Sequence, residues 1–161
     1  MDSVNSLLGN AGSPRRLSVN GRKYVARLID QGLKTEWERW LEDQALKPFL
    51  RLAGRNATAF NAAVKAISEE SLQRKYAWGG QASNDALGTM GGFLGLIAIV
   101  FGQEEQPLPE EEARTLFEKA PILVQAAMDT VMVESFPDRA EAIRARIAER
   151  DRPKEKPDPN A

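Results

Sequence analysis

From Asp85 to Gly102 the chain reads DALGTMGGFLGLIAIVFG, and after Asp85 this run carries no charge. Few structures accommodate such a run. A membrane-spanning helix needs about 20 consecutive apolar residues. This run is shorter, is diluted by glycines and Thr89, and has no Lys or Arg close by to orient a span. A phosphate loop follows a strand and usually carries a Lys. GTMGGFLG follows polar residues and matches neither the Walker nor the dinucleotide pattern. The favoured alternative is a central helix, apolar all round and buried by its neighbours. On such a helix Gly88, Gly91, Gly92, Gly95, Ala98 and Gly102 recur at three- and four-residue steps and cluster on one side. Met90, Phe93, Leu94, Ile97, Val100 and Phe101 cover the rest. Each helical glycine costs up to about 1 kcal/mol against alanine. Close approach to another backbone would offset that cost, which makes Gly88, Gly91, Gly92 and Gly95 candidate helix-packing residues.

The 161 residues suffice for one domain with a core, and 42% hydrophobic with 28% charged residues is ordinary globular usage. A net charge of -1 gives no global attraction to nucleic acid or to an anionic membrane, so neither is expected as a partner. Cys is absent, which excludes disulfides and thiolate metal sites. His is absent too, which removes the commonest general base and the commonest metal ligand. The opening MDSVNSLLGNAGSPRR lacks the order of a signal peptide, because its basic pair follows its only apolar pair, Leu7 and Leu8. The expected organisation is a flexible arm over 1–14, a helical domain over 15–150 and a disordered, charged, Pro-rich tail over 151–161.

Within the domain, RRLSVNGRKYVARLID has two short alternating runs around Asn20-Gly21. Asn-Gly takes the positive φ angles of a type I′ turn, which predicts a hairpin. Leu17 and Val19 then share one face, Tyr24, Ala26 and Leu28 another, and Gly32 ends the unit. Thr35 and Glu38 have capping-box spacing for a helix carrying Trp37, Trp40, Leu41 and Ala45. Pro48 predicts a kink or restart and Gly54 a stop. Residues 56–80 read as one helix or two, with a joint near Ser68. Their apolar side is Phe60, Val64, Ile67, Leu72 and Tyr76, and Gly79-Gly80 ends them. Beyond the uncharged run, Pro109 suits a first helical position, followed by Glu110, Glu111 and Glu112 at the positive helix end. Pro121 starts another helix. Asp138 with Glu141 makes a second capping box, opening a helix with a narrow stripe of Ala140, Ile143 and Ile147. The expected fold is mainly α, a single domain of about six helices with a short N-terminal β-hairpin.

Catalytic chemistry without His or Cys falls to carboxylates, Ser/Thr, Lys and Tyr. The acid–Asp–Thr spacing of small lysozymes does not occur, nor does an EF-hand pattern. Glu104-Glu105 and Glu110–Glu112 suit a solvated loop and a helix start. Ser68 and Ser71 lie near Lys75, where capping is the simpler role. Arg15, Arg16, Arg22, Lys23 and Arg27 would touch phosphate or, more simply, solvate a hairpin face. Trp37, Trp40 and Trp78 would stack on bases or, more simply, fill a core. The residues therefore point to no catalytic group, no cofactor and no metal.

The order of parts carries a resemblance. LSVNGRKYVARLID is a basic hairpin with Gly21 and Tyr24; a Trp/Glu-rich helix follows, then the aliphatic run, then PLPEEEARTLFE, then ILVQAAMDTVMVES. This order resembles the small tail assembly chaperones of long-tailed bacteriophages, over about 15–135. The resemblance implies a non-catalytic protein of the host cytoplasm. It would bind the long helical tape measure protein before the tail tube polymerises, and such proteins often also occur in a frameshift-extended form. A structural component of the virion tail or neck is the first alternative and a small carboxylate-based enzyme the second. Self-association stays open. A chaperone for a helical client needs an exposed apolar strip. The candidates are Leu123, Ala127, Met128, Val131 and Met132 on one helix, a Met-containing and adaptable surface, and Ile143 with Ile147 on the next. The competing expectation is that both helices cap the domain's own core.

Overall fold

The computed structural model describes residues 14–153. Of the arm expected over 1–14 and the tail expected over 151–161, residues 1–13 and 154–161 lie outside the described residues. The chain begins with strands β1 (Arg16–Val19) and β2 (Arg22–Val25), paired antiparallel with Leu17 opposite Tyr24 and Val19 opposite Arg22. Asn20 (φ 52°) and Gly21 (φ 77°) make the turn, as the Asn-Gly pair predicts. Seven α-helices follow among the described residues: α1 (Gln31–Leu46), α2 (Ala57–Leu72), α3 (Gln81–Leu87), α4 (Met90–Val100), α5 (Glu110–Lys119), α6 (Pro121–Ser135) and α7 (Ala140–Arg150). Short 3-10 segments at Lys47–Leu52 and Pro137–Arg139 precede α2 and α7. The fold is thus mainly α with an N-terminal hairpin.

Several local boundaries differ from the sequence expectation, each for a physical reason. Helix α1 starts four residues before Thr35, because Asp30 already caps it: its Oδ1 accepts the Leu33 N–H at 2.8 Å. Gly32 therefore lies inside the helix, and Thr35 donates back to the Gln31 carbonyl. Glu38 serves no capping box; it accepts the amide of Trp78 at 2.9 Å. Pro48 does restart the chain, opening the 3-10 segment, whereas Ser68 makes no joint: its hydroxyl donates to Val64 O within an unbroken α2. On the expected apolar side of α2, Val64 and Leu72 are exposed, and no residue of α2 is buried. Leu28 is likewise exposed. Pro137 starts a 3-10 turn that contains Asp138, so α7 begins at Ala140 with no side-chain cap.

The uncharged run is not one helix. It is divided between α3 and α4, which meet at a bend of 98°. Gly88 ends α3, and the side chain of Thr89 caps α4 by accepting the Gly92 N–H at 3.0 Å. No single described helix is long and apolar enough to cross a membrane. Of the eleven residues of α4, eight are buried, Leu94 to Val100 continuously. Around α4 pack α1, α3 and α5, while α6 lies against α5, α7 and β1. Fully buried Trp37, Leu33, Ile97, Leu116, Val124 and Val131 fill the centre.

The glycine side splits by position. A Cβ at Gly92 would stand 1.9 Å from the Ala86 carbonyl oxygen, so the bend permits no side chain there. At Gly95 the neighbour is a side chain rather than a backbone: a Cβ would meet the Trp40 indole at 2.4 Å. At Gly91 an added Cβ would meet nothing within 4 Å among the described residues, contrary to expectation, and at Gly88 only carbonyl oxygens at 3.4 Å and beyond.

Candidate functional site

Trp37, Trp40, Trp78 and Phe136 form a chain of ring contacts. Trp37 stacks on Trp40 at 4.9 Å and meets Trp78 edge-on at 6.4 Å; Trp78 in turn stacks on Phe136 at 6.4 Å. The Trp37 indole N–H donates to buried Ser83 Oγ at 2.9 Å, which fixes α3 on α1. Beyond Trp78 and Phe136 the chain leaves a groove of about 360 Å³ between the turn before α3, α3 itself, α6 and α7. Leu87, Met132, Phe136 and Ile143 give it apolar walls, and Trp78, Ser83 and Asn84 also line it. Ala142, Ile143 and Arg146 of α7, with Arg139 at the end of the 3-10 segment before it, also line the groove. Their spacing of three, four and seven residues is that of a single helical face.

Of the residues expected to bind a partner, Met132 and Ile143 line this groove, and both are half-buried. Ala127, Met128 and Val131 do not form an exposed strip: they lie in the core, none more than 3% exposed. Leu123 is half-buried against that core, and Ile147 is half-buried outside the groove lining. The side of α6 that periodicity offers as a client surface is therefore the side it turns to its own domain. Leu87, Phe136, Arg139 and Arg146 escaped the sequence reasoning, and Trp78 entered it only as a base-stacking or core residue. The face 139/142/143/146 was a detectable signal, but the stripe 140/143/147 fits the same helix, and only tertiary packing chooses between them.

The other candidate constellations are dispersed. Ser68 bonds to its own helix, Ser71 donates to Glu42, and Lys75 Nζ lies 2.6 Å from Glu70. The hairpin cations are largely matched: Arg15 by Glu134 at 2.8 Å, Arg22 by Glu112 and Arg27 by Glu36, both at 2.7 Å. Burial raises both tyrosine hydroxyls, helped by hydrogen bonds to Glu112 from Tyr24 and to Glu70 from Tyr76, which reaches about 12. Among the described residues no three acids converge in a way that would hold a metal ion. A second cavity of about 380 Å³ runs along Gly91, Gly92 and Gly95 beside Trp40, with Lys47 and Glu110 among its lining residues.

Among the described residues, the only charged groups lining the α3–α6–α7 groove are the guanidinium groups of Arg139 and Arg146. The groove can therefore hold a ligand by apolar contact, by stacking on Trp78 and Phe136, and by charge. Comparison of the chain with protein-family models, with curated proteins and with solved structures gives no match.

Proposed function

We propose that the protein is a non-catalytic chaperone of phage tail assembly. It would act in the host cytoplasm and hold an apolar helical segment of the tape measure protein until the tail tube forms. The observation that carries this reading is the apolar groove between α3, α6 and α7, with Met132, Phe136 and Ile143 in its walls. Grooves of this kind take the anchor residues of an amphipathic helix spaced over one or two turns. The order of sequence elements supports the choice of client. Co-expression with the tape measure protein and affinity capture tests it. Ala142→Glu with Ile143→Glu, both on peripheral α7, should abolish capture while circular dichroism and melting stay near wild type. Unchanged capture rules out the groove. Mass spectrometry of purified virions provides the second arm: a chaperone is absent from finished particles, and its presence there would replace this reading by that of a structural tail or neck component.

A further inference from the structure

The groove's charges say more about its occupant. Among the described residues no acid lines it, whereas Arg139 and Arg146 do. Arg150 lies 2.8 Å from Asp129 and 2.9 Å from Asp151, and Arg152 lies 2.9 Å from Glu149, while Arg144 is exposed and does not line the groove. Arg139 and Arg146 are exposed and have no ion pair or side-chain hydrogen bond among the described residues. Lys34 adds a third positive charge nearby, its Nζ 5.4 Å from the ring centre of Phe136. The acids closest in sequence, Asp138 and Glu141, do not line the groove. In a chain of net charge -1 this is a local excess of positive charge among the described residues lining the groove.

Resting on the docking role given to this groove, we propose that its occupant is an acidic amphipathic helix of a partner protein. Arg139 stands at the N-cap of α7 and Arg146 within the helix, seven residues on, or about two turns. Ile143 and Ala142 lie between them on the same face. The complement is a helix with two carboxylates two turns apart and an apolar residue between them. The apolar residue enters beside Ile143 and Met132, and the carboxylates take the guanidinium groups, whose flat donor forks fit a carboxylate with two parallel bonds. Such exposed pairs steer association and select partners more than they add affinity, and salt weakens them.

The test uses the full chain and a dye-labelled synthetic helical peptide of Leu, Ala and Glu, with Glu at i and i+7 and Leu at i+4, read by fluorescence anisotropy. The same peptide with Lys for Glu is the comparison. The acidic peptide should bind more tightly. Arg139→Glu with Arg146→Glu should weaken it about three- to tenfold at low salt, less at high salt, and improve binding of the Lys peptide. Equal binding of the two peptides, no binding of either, or an unchanged acidic peptide in the Arg variant overturns the proposal. Phosphatidylglycerol vesicles and a single-stranded oligonucleotide form further arms. If either binds more tightly than the acidic peptide and is released by the same Arg variant, the arginines serve another class of partner and the proposal falls. Client capture separates the two levels. Capture lost in the Ala142/Ile143 variant but kept in the Arg variant overturns the acidic helix alone. Capture kept in both removes the docking role as well.

Discussion

At the scale of single residues, three glycines of one helix make three different predictions. Gly91 is exposed and an added Cβ would meet nothing within 4 Å among the described residues, so Gly91→Ala adds only helix propensity and should stabilise by up to about 1 kcal/mol. Gly95 supports the Trp40 ring, and a new Cβ must push an indole that is stacked on Trp37. Gly95→Ala should cost about 1–3 kcal/mol, as overpacked sites do. Gly92 meets a backbone carbonyl that cannot swing aside, so Gly92→Ala should cost more than Gly95→Ala. Thermal melts of the three variants would check this order, and a stabilised Gly92→Ala would refute the bend at Gly88–Thr89. Sequence spacing puts all of these glycines on one side of one helix. It does not reveal that the helix breaks between them, because a periodicity computed along a straight axis is blind to a turn. The break had a local signature in Gly88-Thr89, a helix-ending residue followed by a capping one.

At the scale of elements, the helices divide into those buried by others and those laid on the outside. Helix α4 is enclosed by α1, α3 and α5, whereas α2 has no buried residue and rests on α1 and the 3-10 segment. Leu72, at its end, is 85% exposed. Local opening follows from few buried contacts. Amide hydrogen exchange should therefore be fastest among the long helices in α2 and slowest in α4. Equal protection in the two would mean that α2 is covered by something beyond α1 and the 3-10 segment. The hairpin, the restart at Pro48 and the helix beginning at Pro121 were legible because each depends on one or two residues whose backbone preferences are local. The starts of α1 and α7 were not, because Asp30 competes with Thr35, and Pro137 with Asp138, and neighbouring packing decides. The groove was half legible: Ile143 and Met132 stand out as apolar residues on outer helices. The buried side of α6 could be assigned only once α5 and β1 were seen against it.

At the scale of the whole molecule, one side chain ties the hairpin to the helical core. Arg27 follows β2, and its amide donates to Val100 O at 2.9 Å. Its guanidinium donates to both oxygens of Glu36 on α1, at 3.0 and 2.7 Å, and to Ile99 O of α4 at 2.8 Å. Glu36 in turn accepts the amide of Glu105, where the chain turns towards α5. Burial pushes the Glu36 carboxyl up, but the Arg27 hydrogen bonds, the Glu105 amide and the Arg27 charge outweigh it, so the carboxyl sits below the usual glutamate value. A depressed native pKa means that the stabilisation is complete above the unfolded value, about 4.3, and is lost as pH falls through the native one. The wild type should therefore lose melting temperature more steeply between about pH 5 and 3 than Glu36→Gln, which has no carboxylate to protonate. At neutral pH, Arg27→Met alone strands a carboxylate whose side chain is only 9% exposed, and should cost towards the lower end of about 3–5 kcal/mol. The Ile99 carbonyl keeps the Gly102 amide at 3.2 Å, so the stranded charge dominates that cost. Arg27→Met with Glu36→Leu removes both charges and should cost clearly less than the two single changes added together, because no unpaired ion remains. Additive costs in that cycle, or matching acid profiles for wild type and Glu36→Gln, would show that the hairpin is held by the apolar contacts of Leu17, Ala26 and Ile29 and not by this ion pair.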